Sequence, residues 1–272
     1  MASFPYNKVL LIGATSGIGW ELAQKLVQRG VFVVAVGRRQ TRLDSFLAQH
    51  GDSKVATIAF DISEIDKAHL FAHNVVQQHP DLDCIILNAG VQYVMDFSKP
   101  HTVDMGNIQK EITTNYTSMV ALTHAFVPFF QANSLNKEVA FMYTTTSLMS
   151  VPYPMVLNYS ASKAALHAFI LCIREQFKQN PEHRINVVEI VVPLVQTELH
   201  DGQPGWDPNF NPGMPVEQFV NETINGLEAK EETVAIRQAK QVFDEFEAEK
   251  GRRVGPAWAI IKKNMGKAHT FG

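Results

Sequence analysis

Tyr159 and Lys163 stand four residues apart in Tyr159-Ser-Ala-Ser-Lys163. On a helix this spacing puts a phenol and an ammonium on one face. A neighbouring ammonium favours the phenolate, lowers the tyrosine pKa and makes the hydroxyl a usable proton donor or acceptor. A second group lies near the N-terminus, where Gly13-Ala-Thr15-Ser16-Gly17-Ile18-Gly19 follows a short apolar run and precedes an amphipathic one. Glycines there permit a tight turn and let backbone N–H groups approach a pyrophosphate, helped by the positive field of a helix N-terminus. A third group ends the second apolar run, Val36-Gly37-Arg38-Arg39. Dinucleotide-binding folds usually place an acid here to hold a ribose 2′-hydroxyl. The acid is missing, and guanidinium groups pair with phosphate, so these residues favour NADP over NAD.

These groups need a scaffold, and the apolar pattern supplies one. Short apolar or β-branched runs at 8–12, 31–36, 55–60, 84–87, 138–144, 184–192 and 233–236 read as about seven strands. Helical segments alternate with them. Ile18, Leu22 and Leu26 recur every four residues before Gly30, and further helices are predicted over 43–50, 65–78, 108–130, 159–178 and 216–229. Such alternation gives parallel strands joined by right-handed crossovers, hence an α/β, Rossmann-like doubly wound parallel sheet with helices on both faces in a single domain. Residues 1–237 form the binding and catalytic unit, with a Gly/Pro/Asn/Asp-rich substrate loop over 198–215. Residues 238–272 read as a helical C-terminal extension of the same domain, with helices over 239–249 and 256–265.

Composition narrows the class. With 46% apolar and 19% charged residues and a formal net charge of −3, the chain has a globular profile and no basic footprint for nucleic acid. Its apolar runs are short for a membrane span, and residues 1–8 lack a signal pattern, so a cytoplasmic location is expected. Cys84 and Cys172 are far apart in apolar stretches and read as buried free thiols. His69 and His73 lie one helical turn apart without an evident third ligand, so no metal is expected.

The order of the motifs carries a resemblance. Gly13 to Gly19, Asp61, Asn88-Ala89-Gly90, Asn115, the Thr/Ser cluster at 144–147, Tyr159 and Lys163 follow the order and spacing of the short-chain dehydrogenase/reductase family, over about residues 7–236. The resemblance implies a reversible hydride transfer between NADP(H) and a carbonyl/alcohol pair, with Tyr159 as general acid/base and Lys163 tuning it and holding the nicotinamide ribose. It implies that Asp61 and Ile62 contact the adenine and that Asn88, Ala89 and Gly90 line its ribose. Asn115 would interrupt its helix and hold a water relaying protons to Lys163. Pro193, Val195 and Thr197 would border the nicotinamide, with Thr197 on its carboxamide. A hydroxyl at the end of the fifth strand would hold the substrate oxygen. The family serine usually lies thirteen positions before the tyrosine, which is Thr146 here; a one-residue deletion in the following loop would make it Ser147. The helix from Tyr159 would also pack against its copy, giving a homodimer or homotetramer.

The chain departs from the family in Leu194, where glycine usually follows the proline, and in its longer tail. Pocket walls are expected at 91–95, 152–157 and 198–215, including Tyr93, Met95, Tyr153, Met155 and Trp206, which suit an apolar or aromatic substrate. One rival is a non-catalytic NADP sensor, a type that usually loses the tyrosine or lysine kept here. Another is an epimerase or dehydratase of a longer two-domain branch, whose glycine pattern differs.

Overall fold

The structure, a computed structural model, describes residues 3–201, 203–204 and 212–265. Seven parallel strands, β1 (Lys8–Ile12), β2 (Phe32–Gly37), β3 (Val55–Ala59), β4 (Cys84–Leu87), β5 (Val139–Thr146), β6 (Ile185–Val192) and β7 (Thr233–Ala235), form one sheet in the order β3-β2-β1-β4-β5-β6-β7. The chain winds outward through β2 and β3, then returns to place β4 beside β1. At that reversal the connections leave in opposite directions and open a crevice at the carboxyl ends of the strands.

Helices cover both faces. α1 (Gly17–Gln28), α2 (Gln40–His50) and α7 (Val216–Glu228) lie on one; α3 (Ala68–Gln78), α5 (Ser118–Ser134) and α6 (Leu157–Lys178) lie on the other. Alternate residues of β1 serve the two layers: Val9 and Leu11 join Leu22, Leu26 and Phe219, while Leu10 and Ile12 join Phe71, Phe126 and Ile170. Period-two alternation with both faces apolar is why the strands read as continuous hydrophobic runs. This is the Rossmann-like doubly wound sheet expected.

Three boundaries differ from the sequence reading in ways that matter. The helix predicted over 108–130 is α4 (Met105–Ile112), a π-helical turn at Thr113–Thr117 and α5, with Asn115 inside the turn. β5 runs two residues beyond the expected end, so Thr146 is its last residue and Ser147 opens a short 3₁₀ turn. The tail forms α8 (Gln238–Phe246) and α9 (Ala248–Met265), with Pro256 inside a helix instead of opening one.

The break between α8 and α9 has a cause. Glu247, 5% exposed, turns inward to His167 on α6, with its Oε2 3.0 Å from Nε2. The other ring nitrogen, Nδ1, lies 2.9 Å from Oε1 of Glu189 on β6, and Thr145 donates to that same oxygen at 2.7 Å. A ring whose two nitrogens both face carboxylates must donate from both, or share a proton with one of them. Beyond this junction α9 lies along α6, with Gly251 opposite Leu171 and Gly255 opposite Glu175, spaced by four on both helices. The tail is therefore tied by buried polar groups to the end of β5.

Two lesser expectations are corrected. Cys84 is buried, and burial pushes its thiol well up, but Cys172 is exposed on the outer face of α6. The helix Pro154–Lys178 is long and apolar enough to cross a membrane, against the reading that no run was; 61% of its apolar window is buried in the fold, as befits a core helix. His69 meets His124 of α5 at 3.1 Å, across the helix pair. Trp206 lies outside the described residues.

Removing one partner of a buried charged cluster costs about 3–5 kcal/mol. His167→Ala should destabilise the protein by that amount in urea unfolding and open the α8–α9 segment to limited proteolysis. A loss below about 1 kcal/mol with unchanged cleavage would show that the cluster does not hold the tail.

Candidate active site

The turn between β1 and α1 is shaped by close approach. Gly13 has φ +87°, and a Cβ there would stand 2.7 Å from the backbone of Ala89. A Cβ on Gly19 would stand 2.0 Å from the Gly13 carbonyl oxygen. The amides of Gly13 and Ala14 both donate to Val36 O at 2.9 Å, pinning the turn to β2. Asn88 steadies it from β4, donating through Nδ2 to Gly13 O at 3.3 Å and accepting from Thr144 Oγ1 at 3.3 Å. An α-helix leaves its first amides without intrahelical acceptors. Here the Ser16 side chain does not cap them, and Gly17 and Ile18 line the crevice. This donor set suits a pyrophosphate.

The crevice is one continuous cavity of about 850 Å³. At its outer end Arg38 Nη1 lies 3.5 Å from Asp61 Oδ2. Burial opposes ionisation of Asp61, but the backbone N–H and hydroxyl of Ser63, with Arg38, outweigh it and hold the carboxyl below its usual range. Arg39 donates through Nε to Thr15 Oγ1 at 3.2 Å, and its Nη1 lies 2.8 Å from Glu198 Oε2. Ile62, Ala89 and Gly90 also line the cavity. Two guanidinium groups and the Thr15 hydroxyl thus converge where a nucleotide phosphate could be held.

Pro193, Val195 and Thr197 form another wall. Val195 pairs with Met214, and Leu194 O accepts the Met214 amide at 2.9 Å, so the segment after β6 folds back on itself. Thr197 reaches the glycine turn: a Cβ on Gly17 would lie 3.2 Å from Thr197 Cβ. Leu194, in place of the expected glycine, lines the cavity and remains 43% exposed.

Tyr159 and Lys163 sit at the inner end, on the first turns of α6. Both are buried, and Lys163 Nζ lies 5.8 Å from the Tyr159 ring centroid. Nζ donates to Thr144 O at 2.8 Å. Burial lowers the Lys163 ammonium to about 8. Burial, then the charge of Glu111, drives the Tyr159 phenol far above its ordinary value. The lowering of Tyr159 expected from Lys163 is not found: burial and the charge of Glu111 both raise the phenol. Asn115 is fully buried: its Oδ1 accepts Val91 N at 2.9 Å, and its Nδ2 donates to Val91 O at 2.9 Å and Ser162 Oγ at 3.1 Å. Both amide protons are therefore committed to protein, leaving only acceptor capacity for a water.

The two hydroxyls at the end of β5 differ in availability. Thr146 Oγ1 donates to Val192 O at 3.0 Å and accepts from Leu148 N at 3.4 Å, capping the strand end. Ser147, half-buried, also lines the cavity, and among the described residues its hydroxyl has no hydrogen-bond partner. Tyr93, Tyr153, Met155 and Leu148 add apolar wall. Met95 is buried outside the lining.

Sequence reading missed three polar residues. Glu198 bridges the loop after β6 to Arg39 and Arg42. Gln203 spans the backbone of the opposite wall, accepting from Val94 N at 3.0 Å and donating to Gln92 O at 2.7 Å. Glu111 lies buried behind Tyr159. Only Glu111 had a signal, being a charge one turn before Asn115.

Residues 7–207 match the short chain dehydrogenase family model. The chain belongs to that family, an oxidoreductase family. It is similar to the uncharacterized oxidoreductase DltE of Bacillus subtilis (strain 168), at 27% identity over 246 residues, covering 90% of this chain and 94% of DltE. In fold it resembles a short-chain dehydrogenase from Sphingobium yanoikuyae in complex with NADPH (TM-score 0.76, 22% identity, 97% of this chain and 98% of that one). It also resembles a short chain dehydrogenase/reductase from Burkholderia phymatum in complex with NAD (TM-score 0.74, 14% identity, 86% and 90%). The shared fold accommodates either dinucleotide.

Burying Lys163 has a measurable signature. Its folded pKa of about 8 lies below the unfolded value of about 10.4. Between those pH values the unfolded chain binds the extra proton, so stability rises with pH. The stability of the protein minus that of Lys163→Met should climb by about 1.4 kcal/mol per unit from pH 8 to 10. A flat difference in urea unfolding would contradict the buried ammonium.

Proposed function

We propose that this chain is an NADP(H)-dependent oxidoreductase that interconverts a carbonyl and an alcohol, with Tyr159 as the general acid/base. The observation that carries this reading is one cavity with arginines at one end and a buried Tyr159–Lys163 pair at the other. Arg38 and Arg39, with Thr15, would hold a 2′-phosphate, and the glycine turn with the first amides of α1 would hold the pyrophosphate. Asp61 and Ile62 would border the adenine, and Asn88, Ala89 and Gly90 its ribose. Pro193, Val195 and Thr197 would position the nicotinamide end. When bound, the reduced cofactor supplies the hydride, and no metal is needed.

The remaining chemistry belongs to the chain. In reduction Tyr159 donates its hydroxyl proton to the carbonyl oxygen as that oxygen gains charge. Lys163 would hold ribose hydroxyls and offset charge on the resulting phenolate, and Asn115 would use its acceptor capacity on a water leading to Lys163. Ser147 has its proton available for the substrate oxygen, while Thr146 would have to give up Val192 O to serve. This moves the preference to Ser147. Tyr93, Tyr153, Met155 and Leu194 at the mouth favour an apolar or aromatic substrate. The exposed outer face of α6, with Ala161, Ala168 and Cys172, would pack on a second copy in a cytoplasmic homodimer or homotetramer. A monomer mass by light scattering at micromolar concentration would contradict that assembly.

Tyr159→Phe should abolish reduction of an aldehyde and ketone panel and leave NADPH binding within about twofold. Wild-type turnover in that variant would remove Tyr159 from the role. Ser147→Ala should cost about a hundredfold in kcat/KM, the usual loss of one donor at a developing oxyanion, and more than Thr146→Val. The reverse order would restore Thr146.

Cofactor choice is tested by binding. A charge-assisted hydrogen bond is worth about 1.5–3 kcal/mol, or roughly ten- to a hundredfold. NADPH should bind tighter than NADH by that factor, and Arg38→Ala with Arg39→Ala should erase most of it. Equal affinities in the wild type would contradict the assignment.

A further inference from the structure

α4 presents an anomaly. Of its eight residues only Glu111 is buried, and it is 0% exposed. Glutamate is among the residues least often found inside, and an ionised carboxylate taken out of water must be matched by donors. Each oxygen has one: Tyr93 N donates to Oε1 at 2.7 Å, and Asn158 Nδ2 donates to Oε2 at 2.6 Å.

What these donors belong to gives the residue its meaning. Residues 91–94 form a pocket wall that pairs with no strand among the described residues, and side chains take three of its amides. Asn115 takes Val91 N, Glu111 takes Tyr93 N and Gln203 takes Val94 N. Glu111, on α4, and Asn115, in the π turn that follows it, thus take the amides of Tyr93 and Val91, two residues apart on the wall. Asn158, the other donor, also donates to Ile108 O at 3.2 Å, tying α4 to the residue immediately before Tyr159.

We propose that Glu111 is a positioning residue of the reaction site: its carboxylate sets the wall at Tyr93 and the first turn of α6 through Asn158, and its charge acts on Tyr159. The inference rests on Tyr159 being the proton-transfer group. Burial first, and then the charge of Glu111, hold the phenol in its protonated form, the form that donates in carbonyl reduction; burial also raises the Glu111 carboxyl itself, against the two donors that lower it. A helix that only needed to hold the wall could use a neutral amide. A carboxylate meets two donors and supplies charge as well.

Two variants separate the roles. Glu111→Gln keeps the shape, removes the charge and sets an amide donor against one of the two existing donors. Glu111→Asp keeps the charge and shortens the reach. In Glu111→Gln the acid limb of alcohol oxidation, where Tyr159 must be deprotonated, should move to lower pH, and KM for the carbonyl should rise about tenfold, as for a lost hydrogen bond to a charged group. In Glu111→Asp KM should rise with the limb unmoved. Both should bind NADPH within about twofold of wild type, which also reports a folded protein.

The phenolate absorbance of the NADP⁺ complex, wild type minus Tyr159→Phe, titrates Tyr159 without any substrate. In the Glu111→Gln background its onset should move to lower pH. That reading stands even if no carbonyl in the panel is reduced, a result that would count against the reductase reading alone. An unchanged onset and a KM within twofold of wild type in Glu111→Gln would overturn the proposal. Should Glu111→Gln fail to bind cofactor, Glu111→Asp decides: an unchanged KM there would overturn it equally.

Discussion

An ammonium held out of water at the end of β5 is the constraint on which the site turns. Lys163 is 2% exposed and donates to the carbonyl oxygen of Thr144. A charge in that position is costly and lasts only if its surroundings are rigid. The rigidity comes from the sheet. Thr144 lies inside β5, which pairs with β6 through Thr146 and is backed by Thr145 on Glu189. The His167 cluster carries that support into α8 and α9, so the tail buttresses the strand end that carries the hydroxyls.

Asn115 plays the matching part on the other side of the crevice. Its amide bonds Val91 in both directions and reaches Ser162 on α6, within the π turn that separates α4 from α5. Single π turns inside helices often sit at functional sites because they redirect a side chain. Here the turn aims Asn115 at the wall and at the helix of Tyr159 together. A Cβ on Gly90 would lie 3.5 Å from Asn115 Oδ1 and 3.6 Å from Lys163 Nζ, in ordinary contact with both, so the two groups meet in one small space beside Gly90. The site holds buried polarity, in Asn115, Glu111 and Lys163, that a stability-optimised fold would avoid.

Local spacing made the main features legible. Glycines 13, 17 and 19, the Tyr159–Lys163 pair and the strand–helix alternation each lie within a few residues of chain, and short-range geometry translates directly into position. Glu198, Gln203 and the His167 cluster were not legible, because their partners are 22 to 159 residues away in sequence, and Glu111 showed only its place one turn before Asn115. The role of Lys163 as a pKa tuner was read from charge alone, whereas burial governs both groups in the folded chain. The hydroxyl at the end of β5 was a matter of register. Thr146 holds the expected spacing but spends its proton on β6, which no count of positions could reveal.

The most direct test of the account is the fate of the hydride. NADPH carrying deuterium on the reactive face of C4 would be incubated with the protein and an aromatic ketone, and the alcohol analysed by mass spectrometry and NMR. The account predicts one deuterium on the carbinol carbon, from one face of the cofactor only, with none when Tyr159 is phenylalanine. Alcohol formed without deuterium from cofactor labelled on either face would contradict it.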